Sequence, residues 1–376
     1  MKIAYLIAGT FNPGGMERVL ANKTRWLAEH GYEVMVVTTD QCGRIPFFPL
    51  HPSINCFDLG INYDENNGGS FVNKLVSFPL KQWRHRKRLE KLLLTEMPDI
   101  TVCMFNNDVS FAYSLRDGSH KVLEAHFSKY KKLQYARHGL WRLADRWRMK
   151  REEEWVKHYE RFVVLTHEDS DLWGKLPNMV VIPNARTFEA DEVSDLSQKK
   201  VLAVGRLNEQ KGFDRLLKIW RQIENRPDGW MLEIVGNGPL KEVLLHQIQA
   251  LGIGDSVKLS GAVKDIKAKY LSSSVVVMTS RYEGLPMALL EAQAFGIPVV
   301  SYACKCGPRD LILDGGNGFL VEEDDPKDFA RKLSMLMQRE ELRRRLGAEN
   351  RLMSRQYAEP AVMNQWHNLF QSLENK

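Results

Sequence analysis

Two carboxylates with seven residues between them, Glu283 and Glu291, bracket a helix start in the run from Ser280 to Ser301. Glu283 precedes the start and Glu291 lies inside the helix. Gly284 frees the backbone, Leu285 follows, and Pro286 suits the first helical position. A rise of about 1.5 Å per residue puts Glu291 roughly 7 to 8 Å beyond Pro286. Exposed N–H groups at such a helix start attract a diphosphate. Glu291 is then placed to accept ribose hydroxyls and Glu283 to accept hydroxyls of an attached sugar, so the span suits a sugar nucleotide.

A second loop carries the complementary charge. The apolar run Lys200 to Val204 ends in Gly205-Arg206-Leu207-Asn208-Glu209-Gln210-Lys211-Gly212 before a helical pattern begins. Loops at the carboxyl ends of strands are where open α/β sheets bind ligands, and Arg206 and Lys211 are cations of the kind aimed at a diphosphate, one a planar fork and the other a point charge. Gly236 and Gly238 after the next apolar run permit close backbone approach to a ligand. The pair Gly14-Gly15 before the first helix fits a tight turn equally well.

These residues hang on a regular alternation of short apolar runs and longer helical periodicities, the pattern of parallel sheets covered by helices. Strands are expected at Lys2 to Ala8, Glu33 to Thr38, Asp99 to Met104, Lys121 to Ala125, Arg161 to Leu165 and Met179 to Ile182. A second set follows at Lys200 to Val204, Met231 to Val235, Val257 to Leu259, Val275 to Met278, Pro298 to Ser301 and Phe319 to Val321. At 376 residues, two doubly wound α/β domains are expected. Residues 1–184 form the first, 185–355 the second, and 356–376 a terminal helix with Val362, Trp366 and Phe370 on one face. The polar, acidic stretch from Asn184 to Lys199 reads as the linker, and Asn62 to Ser70 as a mobile loop.

Glu-Gly-Leu-Pro before the second carboxylate and Gly-Ile-Pro-Val-Val after it make the region resemble the Glu-x7-Glu signature of retaining glycosyltransferases with the GT-B fold, specifically the large family 4, group 1 type that includes bacterial cell-surface polysaccharide enzymes. The resemblance covers nearly the whole chain. It implies two Rossmann-like doubly wound domains facing a central cleft, with the donor in the second and the terminal helix returning to the first. It implies transfer of a hexosyl unit from a nucleotide diphosphate sugar, UDP-linked, to a glycan or lipid-linked acceptor in polysaccharide, lipopolysaccharide or glycolipid synthesis, without a metal or other cofactor. By position, Arg206 and Lys211 would hold the donor phosphates, Glu283 the sugar and Glu291 the ribose. The loop of Gly236 and Gly238 would lie beside the nucleotide, Gly205 in the preceding loop would also line the donor site, Val263 with its neighbours would touch the base through backbone atoms, and Gly14-Gly15 would face the phosphates. His126 matches the family's histidine near the reacting sugar, with a satisfied core histidine as the open alternative. An epimerase or phosphorylase on the same fold, or a non-catalytic sugar-nucleotide-binding module, stays open as an alternative function.

Composition narrows the setting. No apolar run approaches the roughly 18 residues of a membrane span, and the apolar run after Met1 reads as a strand rather than a leader, so a cytoplasmic protein with at most peripheral membrane contact is expected. Five cysteines without a paired framework fit a reducing compartment; Cys304-Lys-Cys306 reads as a plain loop. The one Asp-x-Asp, Asp169 to Asp171, reads as a helix start after Thr166 rather than a metal site. Net charge is +6, and the segment 129–151 holds nine Lys/Arg against Asp145 alone. Leu133, Ala136, Leu140, Leu143 and Trp147 recur there at helical spacing, describing a cationic amphipathic helix. Such a helix would meet an anionic membrane surface or pack its apolar stripe on the first domain; nucleic acid is the weaker partner. Arg84-His85-Arg86-Lys87-Arg88 points toward the membrane reading as well.

Overall fold

The apolar runs become parallel strands buried on both faces, which is why they read as near-continuous Val, Ile and Leu rather than as alternating patterns. The computed structural model describes residues 1–68, 71–130, 140–189, 191–223 and 227–374, with side chains described except at 66–68, 71–76 and 140–144. Two units divide the chain: Met1–Pro183 with Met363–Lys376, and Asn184–Val362.

In the first unit the strands are β1 (Lys2–Ile7), β2 (Glu33–Thr38), β3 (Asn55–Asp58), β4 (Ile100–Cys103), β5 (His120–Glu124), β6 (Arg161–Val164) and β7 (Met179–Val181). They form one parallel sheet in the order β3-β2-β1-β4-β5-β6-β7. Its helices are α1 (Gly15–Glu29), α2 (Phe71–Glu96), α3 (Leu140–Val156) and α4 (His167–Trp173). β3 departs from expectation: Asn-Cys-Phe-Asp is short, mostly exposed and at the sheet edge, so it carries no apolar run to read. The Asn62–Ser70 loop is likewise corrected, since Tyr63–Gly68 is a 3-10 helix whose Tyr63 is buried with its hydroxyl 3.2 Å from His85 Nδ1; residues 69 and 70 lie outside the described residues.

The second unit holds β8 (Lys200–Val204), β9 (Met231–Val235), β10 (Val257–Leu259), β11 (Val275–Met278), β12 (Val299–Tyr302) and β13 (Gly318–Val321), again parallel, in the order β10-β9-β8-β11-β12-β13. Around them run α5 (Phe213–Gln222), α6 (Lys241–Ala250), α7 (Ile266–Leu271), α8 (Met287–Ala294), α9 (Pro308–Leu311), α10 (Pro326–Gln338) and α11 (Glu340–Met353). The last helix, α12 (Glu359–Glu374), buries Trp366 and Phe370, and Phe370 and His367 meet Tyr32 at the end of α1.

The Asp-x-Asp site resolves as a helix start. Thr166 Oγ1 accepts from the Asp169 amide at 3.1 Å, and the Asp169 carboxylate accepts from the Lys129 amide and from Trp173 Nε1. Asp171 instead pairs with Lys175. The two carboxylates are thus committed to different partners.

The basic segment falls partly outside the described residues, including Leu133 and Ala136 of the expected stripe. Of the expected stripe only Trp147 has a described side chain, and it does not lie on the buried face of α3. The buried positions are Asp145, Met149, Glu152 and Val156, and Trp147, about 200° round the helix from Asp145, is 58% exposed. Two acids that look like solvated charges are part of the buried face, and this is what shifts the register. Arg146, Arg148, Lys150 and Arg151 are exposed, with Arg151 4.7 Å from the Trp147 ring.

Candidate functional site

The order of the second sheet dictates where a ligand can sit. From β8 the chain crosses toward β9 on one side, and from β11 toward β12 on the other. The loops leaving the carboxyl ends of β8 and β11 therefore part from each other, leaving the crevice that binds ligands at a topological switch point. Residues 205–212 leave β8 and residues 279–286 leave β11, so two motifs about seventy residues apart meet for a topological reason.

Hydrogen bonds stitch the two loops together. The Arg281 amide donates to Gln210 O at 2.7 Å, Gln210 Nε2 donates to Tyr282 O at 3.0 Å, and Thr279 Oγ1 donates to Gly212 O at 3.0 Å. Gly212 turns at φ 62°, where a Cβ would lie 2.2 Å from Thr279 O. Asn208 caps the short turn Glu209–Lys211 by accepting from the Lys211 amide. This frame brings Lys211 Nζ to 2.6 Å from Glu283 Oε1, with Glu283 buried and Lys211 mostly buried. Arg206 is exposed, and its side chain has no ion-pair partner among the described residues. The loop thus presents one cation held by a carboxylate and one open to solvent.

Glycines make the close approach possible, by packing as much as by conformation. A Cβ on Gly236 would lie 1.9 Å from Gly205 O, and one on Gly238 would lie 2.3 Å from Leu207 O. The loops after β8 and β9 are therefore pressed backbone to backbone, with the Leu207 amide donating to Asn237 O. Gly205 leaves room for the Lys211 stem, whose Cδ and Cε would stand 3.0 Å from a Cβ there. The Gly236 amide donates to Gly261 O, which ties in the turn carrying half-buried Val263. Gly236→Ala is expected to cost about 2–4 kcal/mol, because a positive φ and a backbone clash coincide; thermal melting measures it.

The second carboxylate is set differently from the first. Pro286 is the N-cap of α8 rather than its first helical residue, and positive φ in this region falls on Cys306 and on Gly307, which packs on Pro286. α8 is buried almost all round, and Glu291 is buried with it. Glu291 Oε1 accepts from Thr187 Oγ1 at 2.7 Å and Oε2 accepts from the Tyr270 hydroxyl at 2.8 Å. Tyr270 stacks on Phe295, with ring centroids 5.4 Å apart and planes inclined by 13°. Neither Thr187 nor Tyr270 announces itself in the sequence: one sits in what reads as a linker, and the other occupies a core position in α7. Leu285 is buried beside Gly284 and Pro286.

In the first unit, Gly14 is the N-cap of α1, and a Cβ on it would lie 2.1 Å from Glu17 Oε2. Gly15 borders open space and has no steric need to be glycine. Burial pushes the Glu17 carboxyl up, against the pull of its own amide, Asn12 and His126. His126, just past β5, keeps only 6% of its side chain exposed, with Nε2 3.1 Å from Glu124 Oε1. Gly14, Glu17 and His126 therefore belong to one neighbourhood. Near Glu283, burial drives the Cys304 thiol well above its ordinary range, with Glu283 adding to the effect. Among the described residues no group of three or more His, Cys, Asp or Glu is arranged to hold a metal.

Comparison with known proteins bears on these elements. The model for "Glycosyl transferases group 1" matches residues 184–353, and that for "Glycosyltransferase Family 4" matches residues 13–187. An uncharacterized glycosyltransferase of Haemophilus influenzae is 30% identical over 375 residues, 98% of this chain and 99% of its own. The amylovoran biosynthesis glycosyltransferase AmsD of Erwinia amylovora is 29% identical over 380 residues, again 98% and 99%. Among solved structures, a TarM mutant of S. aureus in complex with Fondaparinux, alpha-GlcNAc-glycerol and UDP superposes with a TM-score of 0.77 at 17% identity, covering 98% of this chain and 99% of that one.

Proposed function

The chain is a GT-B glycosyltransferase of family 4, group 1 type, and from that premise we propose that it moves a hexosyl unit from a UDP-sugar to an acceptor hydroxyl with retention at the anomeric carbon. One observation carries this reading: Lys211 meets Glu283 at the switch point of the second sheet, with Arg206 open on the same loop. Donor binding replaces the Lys211–Glu283 pair. The ammonium turns to the diphosphate and the released carboxylate takes the hydroxyls of the sugar.

Arg206, Lys211 and the amides beginning α8 then stabilise the charge that develops on the departing diphosphate, which is electrostatic catalysis without a metal. A unit charge about 4 Å from another interacts by roughly 4 kcal/mol at an effective dielectric of about 20, so two cations suffice for a leaving group. Glu291, oriented by Thr187 and Tyr270, accepts the ribose hydroxyls. No protein nucleophile takes part: the leaving phosphate oxygen accepts the proton of the incoming hydroxyl, and His126 addresses the transferred sugar. The acceptor is a growing surface polysaccharide, lipopolysaccharide or glycolipid, in keeping with the amylovoran biosynthesis of the Erwinia relative.

The test is turnover of UDP-sugars with and without chelator, with the anomeric configuration of the product read by NMR. Retained configuration and chelator-insensitive transfer are expected. An epimerised donor formed without acceptor, or UDP binding without turnover, would replace this reading. Tyr270→Phe removes a hydrogen bond to a charged acceptor, a contact of about 1.5–3 kcal/mol, so the Kd for UDP is expected to rise about tenfold in calorimetry.

The acceptor's setting enters through the first unit. Trp83 in α2 and Trp147 in α3 are 62% and 58% exposed, each beside exposed Lys and Arg, and both helices lie against the turn at Asn107–Ser110. No described helix is long and apolar enough to cross a membrane. Exposed tryptophan with flanking cations is the composition of a membrane-surface contact. The protein is expected to sediment with phosphatidylserine vesicles in a salt-sensitive way, and neutralising Arg146, Arg148, Lys150 and Arg151 together should abolish it.

A further inference from the structure

A charge system lies beside His126 that nothing in the transfer scheme uses. Lys23 of α1 and Glu124 at the end of β5 are almost fully buried, and Lys23 Nζ stands 2.5 Å from Glu124 Oε1. The same oxygen is 3.1 Å from His126 Nε2, without the alignment of a formed hydrogen bond, and Glu124 Oε2 is buried with no hydrogen-bond partner among the described residues. The Lys23 ammonium lies 3.7 Å from the ring centroid of Trp366 in α12 and 5.9 Å from that of Tyr5 in β1. One lysine thus ties the first helix, the sheet and the last helix to the carboxylate that faces the histidine.

Stability alone is a poor reason for this arrangement. Buried ion pairs replaced by well-packed apolar residues often leave a protein as stable or more so. Ionised groups in a core are better explained by what they orient. A histidine's function depends on which nitrogen carries the proton, and that is set by the partner of the other. A carboxylate facing Nε2 selects the tautomer protonated there.

We propose that Glu124, locked by Lys23, is a positioning residue that fixes the His126 ring with its proton on Nε2 and leaves Nδ1 to address the transferred sugar. This rests on the reading that His126 takes part in the reaction. The charges facing the histidine agree with it. Burial pushes the Glu124 carboxyl up, but Lys23 and His126 outweigh that and hold it at about 2. Burial lowers Lys23, and Glu124 opposes it. Glu17 of α1 is a further acid within electrostatic reach of His126.

The full-length enzyme is assayed with the UDP-sugar it turns over fastest, alongside UDP titration by calorimetry and thermal melting. His126→Ala is expected to lower kcat strongly. Glu124→Gln is expected to lower kcat about 10- to 100-fold, the range carried by partners that orient a functional histidine, with the Kd for UDP unchanged. Glu124→Gln alone leaves Lys23 unpaired and lowers Tm, so the decisive variant is Lys23→Met with Glu124→Gln. It removes both buried charges: Tm should return toward that of the parent while kcat stays at the level of Glu124→Gln. Recovery of kcat together with Tm would overturn the positioning role and leave the pair purely structural. An inactive His126→Ala beside a fully active Glu124→Gln would overturn the positioning role alone, whereas a fully active His126→Ala would overturn both it and the reading of His126.

Discussion

Lys211→Ala is expected to lower turnover by about 10²–10³-fold, the loss seen when one preorganised donor aimed at developing charge is removed. Two effects add. The departing diphosphate loses a point charge held on a capped turn, and Glu283, buried at 2.6 Å from that charge, is left without its partner beside an anionic ligand. A buried carboxylate stripped of its cation is costly, so the variant is also expected to bind UDP more weakly. Steady-state kinetics with a UDP-sugar, compared with calorimetry on UDP alone, separates the two contributions.

Glu283→Gln is expected to move binding and turnover in opposite directions. In the free enzyme Glu283 competes with the diphosphate for Lys211. That pair is partly solvated, so its net worth is set at about 1 kcal/mol rather than its Coulomb energy. Removing it should tighten UDP about fivefold, because the ammonium no longer has a protein anion to leave. Turnover should still fall about 100-fold, since the carboxylate that holds the sugar's hydroxyls in the transition state is gone. Weaker UDP binding in this variant would mean that Glu283 supports the nucleotide rather than the sugar.

The strands that position both predictions were readable in the sequence wherever a run was buried on both faces, as in Glu33–Thr38 and Val275–Met278. Edge strand Asn55–Asp58 was not, because an exposed edge needs no apolar run. Helix faces were less legible. In α3 the visible apolar spacing pointed to Trp147, while the buried face carries Asp145 and Glu152, whose burial only the fold reveals. The same limit governs the site. Glu283, Glu291 and Lys211 stand out by type and spacing, but Thr187, Tyr270, Lys23 and Glu124 act through contacts across 104, 21 and 101 residues of sequence. Gly236 and Gly238 were legible as glycines near a ligand loop, yet their close contacts are with Gly205 and Leu207 backbone.

The central claim is that Arg206, Lys211 and the amides beginning α8 converge on one diphosphate. Calorimetric titration of UDP into the Arg206→Ala, Lys211→Ala double variant, with folding verified by thermal melting, tests it most directly. The account predicts that UDP affinity falls by at least about 100-fold, two charge-assisted contacts of about 1.5–3 kcal/mol each being lost. Parent-like UDP affinity in that folded variant would contradict it.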